Sequence, residues 1–342
     1  MRDPIARALD AGVAFLADRQ RPSGEIPVFT VKRRDMVGEL EPDPSVFPTA
    51  LAVQALRFIP GAADIRRRGL DFLLAQRTEP GVWRHWTRAH PYFNVLPPDL
   101  DDTSCASAAL TAGGSEGAAD RQLLLANRNG AGLFYTWIVP RLRPTSGKHG
   151  AVVRSQLSKL PVLYAFFRST AAKWNDVDAV VNANCLHALG SFPGRERVVE
   201  HLLSVLRAGG ETSCDKWYDN PFVVWYFFSR ALSSAAPEAD DLILRRLATA
   251  TPKSSLELAL AAASNLHWGR VPDETTASQL LNQQLASGGW PHAALYHGGR
   301  ALRRDGTFEE PHPDTPYWGS EELTTAFCLE VLGQVAKSEG AA

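Results

Sequence analysis

The segment from Gly69 to Trp83, GLDFLLAQRTEPGVW, decides the fold because the chain repeats its pattern. GVAFLADRQRPSGEI begins at Gly12, ASQLLNQQLASGGW begins at Ala277, and a fainter copy, LLLANRNGAGLF, ends at Phe134. Each copy has small and bulky apolar residues, a Gln or Asn, a polar turn and then Gly-x-aromatic or Gly-x-aliphatic. Self-similarity of this kind is typical of repeat architectures.

Each repeat begins as an amphipathic helix. Ile5, Leu9, Gly12 and Leu16 fall at i, i+4, i+7 and i+11, which places them on a single face. The Gly of the turn ends the helix. The pattern predicts outer helices near residues 3–18, 62–76, 116–127, 196–208, 237–249 and 273–286.

Segments of another character lie between these amphipathic helices. They are apolar almost all round, rich in Ala, Ser, Thr and Cys, and open at Asp43, Asp99, Asp176, Asp219, Ser254 and Ser320. Such helices are buried on several sides and begin with N-cap chemistry. Twelve helices that alternate in this way predict an all-α fold, a single (α/α)6 barrel or toroid. We expect one domain over residues 1–342, with long insertions near 128–172 and 291–316.

Composition excludes several classes of protein. The net charge of -1 gives no electrostatic footprint for nucleic acid. The cysteines Cys105, Cys185, Cys214 and Cys328 lack CxxC spacing, which argues against a disulfide framework and a structural zinc site. The N-terminus does not read as a secretory signal, and the apolar runs fall short of the roughly 20 residues of a membrane span. We expect a soluble cytoplasmic protein.

The predicted barrel gathers acidic and aromatic residues at one mouth, because all inner helices of such a barrel run the same way. The acids are Asp43, Asp99, Asp101, Asp102, Asp176, Asp178, Asp219, Glu321 and Glu322. As substrate-binding residues we predict Asp43, Phe47, Trp174, Asp178, Asn182, Trp217, Tyr218, Asp219, Trp318 and Glu321.

The stretch DLDDT, residues 99–103, is the densest part of this acidic set. One acid per helix needs no explanation beyond capping and the helix dipole, worth roughly 0.3–1 kcal/mol. Three acids on one turn exceed that need. Like charges and burial raise the pKa of a carboxyl group, and a carboxylic acid that stays protonated at neutral pH is what a general acid requires. Capping and acid catalysis both stay open.

Two motifs resemble class II terpene cyclases such as squalene–hopene cyclases. QLASGGW, with Gln284, Gly288 and Trp290, is similar to their glutamine–tryptophan (QW) repeat, and DLDDT is similar to their Asp-x-Asp-Asp (DxDD) motif. The resemblance implies a terpene cyclase, isomerase or lyase of terpenoid biosynthesis. Asp101 would protonate an alkene or epoxide, Asp99 and Asp102 would tune and hold it, and aromatic faces would stabilise the carbocation.

The same resemblance implies an apolar polyprenyl small molecule as the substrate. Large members of the family pair two barrels, whereas this chain has one. A homo-oligomer, a partner barrel and insertions that cover the mouth therefore all stay open, as does peripheral contact with a membrane.

No cofactor or metal is expected, although Mg2+ stays open for a substrate that carries a diphosphate. The basic clusters Lys32–Arg34 and Arg141, Arg143 and Lys148 could receive such a group. Protein prenyltransferase β subunits share this barrel and bind zinc, but the distance of Cys105 from Asp102 is not their spacing.

Two other functions stay open. An (α/α)6 carbohydrate-active enzyme could pair Asp101 with Asp178 across a glycosidic bond, and a non-catalytic barrel could be a subunit of a larger prenyl-binding assembly. The histidines give weaker indications. We expect His187 in the core, and His149, His292, His297 and His312 exposed in the insertions.

Overall fold

The computed structural model describes residues 2–142, 145–303 and 308–341, so Arg143 of the second basic cluster lies outside the described residues. The helices are α1 (Arg2–Arg19), α2 (Phe47–Ala55), α3 (Ala63–Gln76), α4 (Leu100–Ala112), α5 (Arg121–Ala126), α6 (Gly147–Leu157), α7 (Leu160–Ser169), α8 (Ala179–Leu189), α9 (Arg195–Ala208), α10 (Pro221–Ala235), α11 (Asp240–Thr249), α12 (Ser255–His267), α13 (Glu274–Asn282) and α14 (Glu321–Ala341).

Six of these helices form a closed inner ring. In order they are α2, α4, α8, α10, α12 and α14; each packs against the next, and α14 packs against α2. The outer layer consists of α1, α3, α5, α9, α11 and α13, while α6 and α7 belong to the first insertion. The predicted all-α toroid of alternating inner and outer helices is confirmed. No helix among the described residues combines the length and apolar character needed to cross a bilayer.

The two helix layers differ in burial as their sequences predict. In α10 every residue from Phe222 to Leu232 is buried. In α9 only one stripe is buried, formed by Val198, Leu202, Leu203 and Leu206. Each fully buried Leu or Phe contributes about 1.5–3 kcal/mol of transfer free energy. The inner ring therefore supplies most of the hydrophobic core.

The glutamine of the repeat joins neighbouring outer helices. Gln20 Nε2 donates to the carbonyl oxygens of Gly24 (2.8 Å) and Ile65 (3.0 Å). Gln284 Nε2 donates in the same way to Gly288 (2.8 Å) and Ala8 (2.9 Å). In each case one amide group closes its own turn and binds the backbone of the next outer helix. The repeat motif is therefore a structural connection between repeats.

A second connection binds each turn to an inner helix. The backbone N–H of Ile26 donates to Thr49 Oγ1, that of Trp83 to Thr103 Oγ1, that of Phe134 to Asn182 Oδ1, and that of Trp290 to Thr325 Oγ1. These four acceptors occupy equivalent places in the repeats. Asn182 thus belongs to a series of structural residues.

A small antiparallel sheet, which the sequence pattern does not predict, lies at the mouth of the barrel. Its strands are β1 (Phe29–Val31), β2 (Glu41–Pro42), β3 (Ala294–His297) and β4 (Tyr317–Gly319), in the order β2-β1-β4-β3. Thr30 pairs with Trp318, and Trp318 pairs with Tyr296. The second insertion therefore folds back over the barrel instead of extending from it.

The starts of the inner helices differ in detail from the expected caps. Asp99 accepts from the N–H of Asp102, and Ser254 and Asn220 cap α12 and α10 in the same way. By contrast, α2 begins after Val46 without a side-chain cap, and Asp178 occupies the N-cap position of α8 without making a cap bond. The carboxylates of Asp43 and Asp178 bind aromatic side chains instead, as described below.

Candidate active site

A cavity of about 330 Å³ lies at the N-terminal ends of the inner helices. Residues at or just before those ends line it, namely Phe47, Asp99, Asp101, Asp102, Val181, Trp217, Tyr218 and Trp318. The first insertion contributes Thr136, Trp137, Phe166 and Thr170, and the second contributes Tyr296, His297, Gly298 and Pro316. Both insertions therefore wall the cavity that the barrel mouth would otherwise leave open.

Asp101 is held at this wall by two short hydrogen bonds. The hydroxyl of Tyr218 donates to Oδ2 and the amide of Asn184 donates to Oδ1, each at a distance of 2.6 Å. Burial raises the pKa of Asp101, while the Tyr218 and Asn184 bonds and the charge of Arg230 lower it. Burial is the largest of these influences, so the acid form is favoured relative to an exposed aspartate.

Arg230 fixes the orientation of Asn184 from behind. Its Nη2 donates to Asn184 Oδ1 at 2.6 Å, and its Nη1 donates to Gln54 Oε1 at 3.3 Å. Because the oxygen of Asn184 faces the guanidinium, its NH2 group must face Asp101. Oδ1 of Asp101 is therefore an acceptor only, and a proton on this acid belongs on Oδ2, where the Tyr218 hydroxyl can either donate or accept.

Asp99 and Asp102 lie beside Asp101 and are almost fully buried, with 3 % and 4 % exposure. Oδ1 of Asp99 accepts from the N–H of Asp102 at 2.8 Å, but among the described residues no partner binds Asp99 Oδ2 or Asp102 Oδ1. Burial raises the pKa of Asp99 and that of Asp102, and their mutual charge raises that of Asp102 further. Both carboxyl groups thus keep a proton to higher pH than an exposed aspartate does.

Two groups of aromatic rings form the remaining walls. On one side Trp137 packs edge-on against Trp217 (5.8 Å) and Phe166 (5.4 Å). On the other side Tyr296 stacks on Trp318 at 5.2 Å. Aromatic faces attract a cation by roughly 0.5–2 kcal/mol each, more where water is excluded. The cavity can therefore stabilise a positive charge in an otherwise apolar space.

Two buried carboxylates orient these rings. Asp43 Oδ2 accepts from the indole N–H of Trp86 (3.0 Å) and of Trp318 (2.6 Å). Asp178 Oδ2 accepts from the indole N–H of Trp217 at 3.2 Å and from the hydroxyl of Thr136 at 2.6 Å. Neither carboxylate lines the cavity itself. Asp178 therefore does not face Asp101 across the cavity, as a pair of glycosidase carboxylates would.

The other predicted site residues lie away from the cavity wall. Trp174 donates its indole N–H to Pro140 and packs on Phe167. The amide of Asn182 is bound to the backbone of Phe134 on both its oxygen and its nitrogen. Glu321 is partly buried at the start of α14 and does not line the cavity.

Asp219 lines an adjacent polar cleft of about 840 Å³ that shares Tyr296 and His297 with the cavity. Arg33 and Arg34 of the first basic cluster line this cleft, and the cluster is paired with carboxylates: Lys32 with Asp314, Arg33 with Asp35, and Arg34 with Asp219. Within the described ranges, no group of three or more His, Cys, Asp or Glu side chains is placed to hold a metal ion.

Several residues of the site were missed by the sequence analysis. They are Asn184, Arg230, His85, Trp86, Trp137, Phe166, Tyr296 and His297. Arg230 carried a signal, because it is the single charge in the apolar segment PFVVWYFFSRAL. The expectation that His149 and His297 are exposed is wrong, since their exposed fractions are 4 % and 1 %.

The whole chain was compared with known proteins. No protein-family model matches the sequence, and no curated protein matches it either. Among solved structures, type II terpene cyclase MstE from Scytonema in its apo form matches with a TM-score of 0.66 and 17% identity, over 98% of this chain and 99% of that chain.

The fold of this chain is thus similar to that of type II terpene cyclase MstE. A variant of MstE in complex with the product merosterolic acid A has a TM-score of 0.66 and 18% identity, over 98% of each chain. A protein from Actinoplanes has a TM-score of 0.63 and 19% identity, over 97% of this chain and 99% of that chain. At these identities the likeness concerns the fold, and the matched chains are of nearly the same extent as this one.

Proposed function

We propose that this protein is a class II-like terpene cyclase or isomerase that protonates an alkene or epoxide of a polyprenyl substrate from Asp101. The observation that carries the proposal is the position of Asp101. Its carboxyl group lies in the wall of a cavity that is otherwise mainly aromatic, between the Tyr218 and Asn184 hydrogen bonds. An acid in such surroundings has few alternatives to donating its proton to the bound hydrocarbon.

The first step transfers the Asp101 proton from Oδ2 to one carbon of the terminal double bond, or to the epoxide oxygen. In an alkene the π electrons form the new C–H bond, and in an epoxide the electrons of the breaking C–O bond stay on the oxygen. In both cases a carbocation remains on the neighbouring carbon. The next double bond of the polyprene then attacks this cation, which forms a ring and moves the charge along the chain. Asn184, Tyr218 and the charge of Arg230 stabilise the Asp101 carboxylate that remains.

In this proposal the aromatic walls of the cavity guide the carbocation after the first step. The Trp137–Trp217 and Tyr296–Trp318 groups stabilise the travelling charge, and the apolar cavity excludes water that would capture it. Asp43 and Asp178 hold the indoles of both groups at fixed angles. Because both insertions wall the cavity, the reaction can proceed in one barrel without a second one.

The same surroundings support a polyprenyl substrate in this proposal. MstE, which shares the fold, is described in complex with geranylgeranyl dihydroxybenzoate as its substrate. We infer that the present chain likewise accepts a polyprenyl chain. Its apolar part would occupy the aromatic cavity, and any polar head would face the adjacent cleft that shares Tyr296 and His297.

The test is an incubation of the purified protein with squalene, farnesyl diphosphate, geranylgeranyl diphosphate and geranylgeranyl dihydroxybenzoate, each with and without Mg2+. Gas or liquid chromatography with mass spectrometry would identify products. We expect a cyclised or isomerised product whose formation falls about 10³-fold in Asp101→Asn. The matched control is Asp71→Asn, which changes an exposed aspartate of α3. A folded protein that converts no polyprene, or an active Asp101→Asn variant, would contradict the proposal.

A further inference from the structure

His85 lines the same cavity as Asp101, and the mechanism proposed above does not use it. It lies in the segment between α3 and α4. Its carbonyl oxygen accepts from the backbone N–H of Val46 and from the hydroxyl of Ser45, each at 2.9 Å. The histidine backbone is thus fixed against the start of α2, so the imidazole ring has a defined position in the wall.

The contacts of Nδ1 determine which ring nitrogen carries the proton. Ser45 Oγ lies 3.4 Å from Nδ1 and Asp102 Oδ2 lies 3.9 Å from it. The single hydroxyl proton of Ser45 is donated to the carbonyl oxygen of His85, so Oγ can only accept from Nδ1. Nδ1 therefore carries the hydrogen, and Nε2 carries a lone pair to which no group among the described residues is bonded.

The surroundings keep this lone pair available. Burial lowers the pKa of His85 to about 4, although the charge of Asp43 acts in the opposite direction. The ring is therefore neutral at physiological pH. A neutral imidazole is still a strong enough base to deprotonate the carbocation, because a C–H bond next to a cationic carbon is extremely acidic.

Three aromatic rings of the cavity wall surround His85. Trp86, Tyr296 and Trp318 lie at centroid distances of 5.8, 5.6 and 5.7 Å, all edge-to-face. Their electron density stabilises a cation that stops at this part of the wall. A positive charge and a free basic nitrogen therefore meet at one place.

We propose that His85 Nε2 is the base that ends the reaction by removing a proton from the last carbocation. This inference rests on the proposed function. The C–H bond next to the cationic carbon breaks, its electron pair forms the C=C bond of the product, and the proton binds Nε2. One turnover leaves Asp101 as a carboxylate and His85 as an imidazolium, so the net transfer of one proton from His85 to Asp101 resets the enzyme.

His297 is the matched comparison within the chain. It also lines the cavity, but its Nδ1 accepts from the backbone N–H of Gly299 at 3.2 Å. Its hydrogen therefore lies on Nε2, and neither of its nitrogens offers a free lone pair. Of the two histidines that line the cavity among the described residues, only His85 can accept a proton from a substrate.

The experiment compares product patterns of the wild type, His85→Phe and the control His312→Phe, which changes an exposed histidine of the second insertion, with the substrate that the wild type converts best. Phenylalanine keeps an aromatic ring and removes the base. In His85→Phe we expect the fraction of the wild-type alkene to fall at least about tenfold, replaced by alcohols from water capture or by alkenes with a shifted double bond. Substrate is still consumed, because Asp101 is intact. His312→Phe keeps the wild-type alkene as its main product, because this side chain does not line the cavity.

Circular dichroism and thermal unfolding show whether each variant is folded, and His85→Asn replaces His85→Phe if the larger ring prevents folding. An unchanged alkene fraction in a folded His85 variant overturns this inference and leaves the proposed function standing. A wild-type product that is an alcohol overturns it as well. A wild type that converts no polyprene instead contradicts the proposed function itself.

Discussion

The hydroxyl of Tyr218, just before α10, donates a 2.6 Å hydrogen bond to Oδ2 of Asp101 on α4, which lies 117 residues earlier in the chain. This bond stabilises the carboxylate form of Asp101 and so lowers its pKa, against the larger effect of burial. Tyr218 thereby adjusts how readily the acid gives up its proton. The contact joins α4 to the residues just before α10 at the wall of the cavity, and the first prediction follows from it.

Tyr218→Phe should shift the pH profile of turnover. Loss of the donor raises the pKa of Asp101, and the acid is active only when protonated, so the alkaline decline of the rate should move to higher pH. The maximal rate should fall about tenfold or more, because the carboxylate formed on protonation loses a hydrogen bond. Rates measured between pH 5 and 9 test this. Tyr92→Phe, at an exposed tyrosine, should leave the profile unchanged.

Arg230→Met should weaken both folding and catalysis. The substitution leaves Asn184 Oδ1 and Gln54 Oε1 buried without their charged donor, at a cost of about 1–3 kcal/mol for each group. Asn184 also becomes free to turn its oxygen toward Asp101. We expect Arg230→Lys to restore little, because one ammonium group lacks the fork that reaches both amides. Chemical denaturation and turnover assays measure the two effects, and full activity in Arg230→Met would show that Asn184 orients itself.

Asp102→Asn should stabilise the protein at alkaline pH. Because the pKa of Asp102 is raised in the folded state, the unfolded chain releases its proton first as the pH rises above about 4. The contribution of Asp102 to the free energy of unfolding is thus greatest below that pH, and it is lost as the pH rises toward the pKa of Asp102 in the folded state. The variant removes this loss, so its melting temperature should exceed that of the wild type at pH 8 by more than at pH 5. An equal difference at both pH values would mean that Asp102 is not protonated in the folded protein.

Asp43→Ala should disturb the aromatic wall. The indole N–H groups of Trp86 and Trp318 lose their shared acceptor, which costs about 1–3 kcal/mol for each buried donor. Because these rings surround His85, we expect a broader product mixture in addition to a lower melting temperature. Asp64→Ala, at an exposed position of α3, serves as the control. A single unchanged product would show that the rings are held by packing alone.

Gln20→Ala and Gln284→Ala should each lower the free energy of unfolding by about 1–2 kcal/mol, since each removes one hydrogen bond within its own turn and one to the neighbouring outer helix. The two glutamines share no partner, so the effects should add in the double variant. Gln279→Ala, on the exposed face of α13, should have little effect. Urea titrations give these values, and a strongly non-additive double variant would indicate coupling through α1.

The fold could be predicted from the sequence because local residue patterns specify its helices. The stripe of Ile5, Leu9, Gly12 and Leu16, the all-round apolar α10 and the recurring Gln-turn-Gly segments each specify their helix and its layer without distant partners. The sheet at the mouth could not be predicted in this way. Its strands have only two to four residues and are stabilised by pairing between residues as distant as Thr30 and Trp318.

The sequence by itself determined the barrel and the acidic turn at Asp99, Asp101 and Asp102, because helix periodicity and motif spacing are properties of neighbouring residues. Only the tertiary structure decided the partners of that turn. Asn184 and Arg230 come from other inner helices, Tyr218 from the residues just before α10, His85 from a connecting segment and Tyr296 from β3. The physical reason is that hydrogen bonds and burial act over ångströms in space, and ring closure brings together residues that are far apart along the chain.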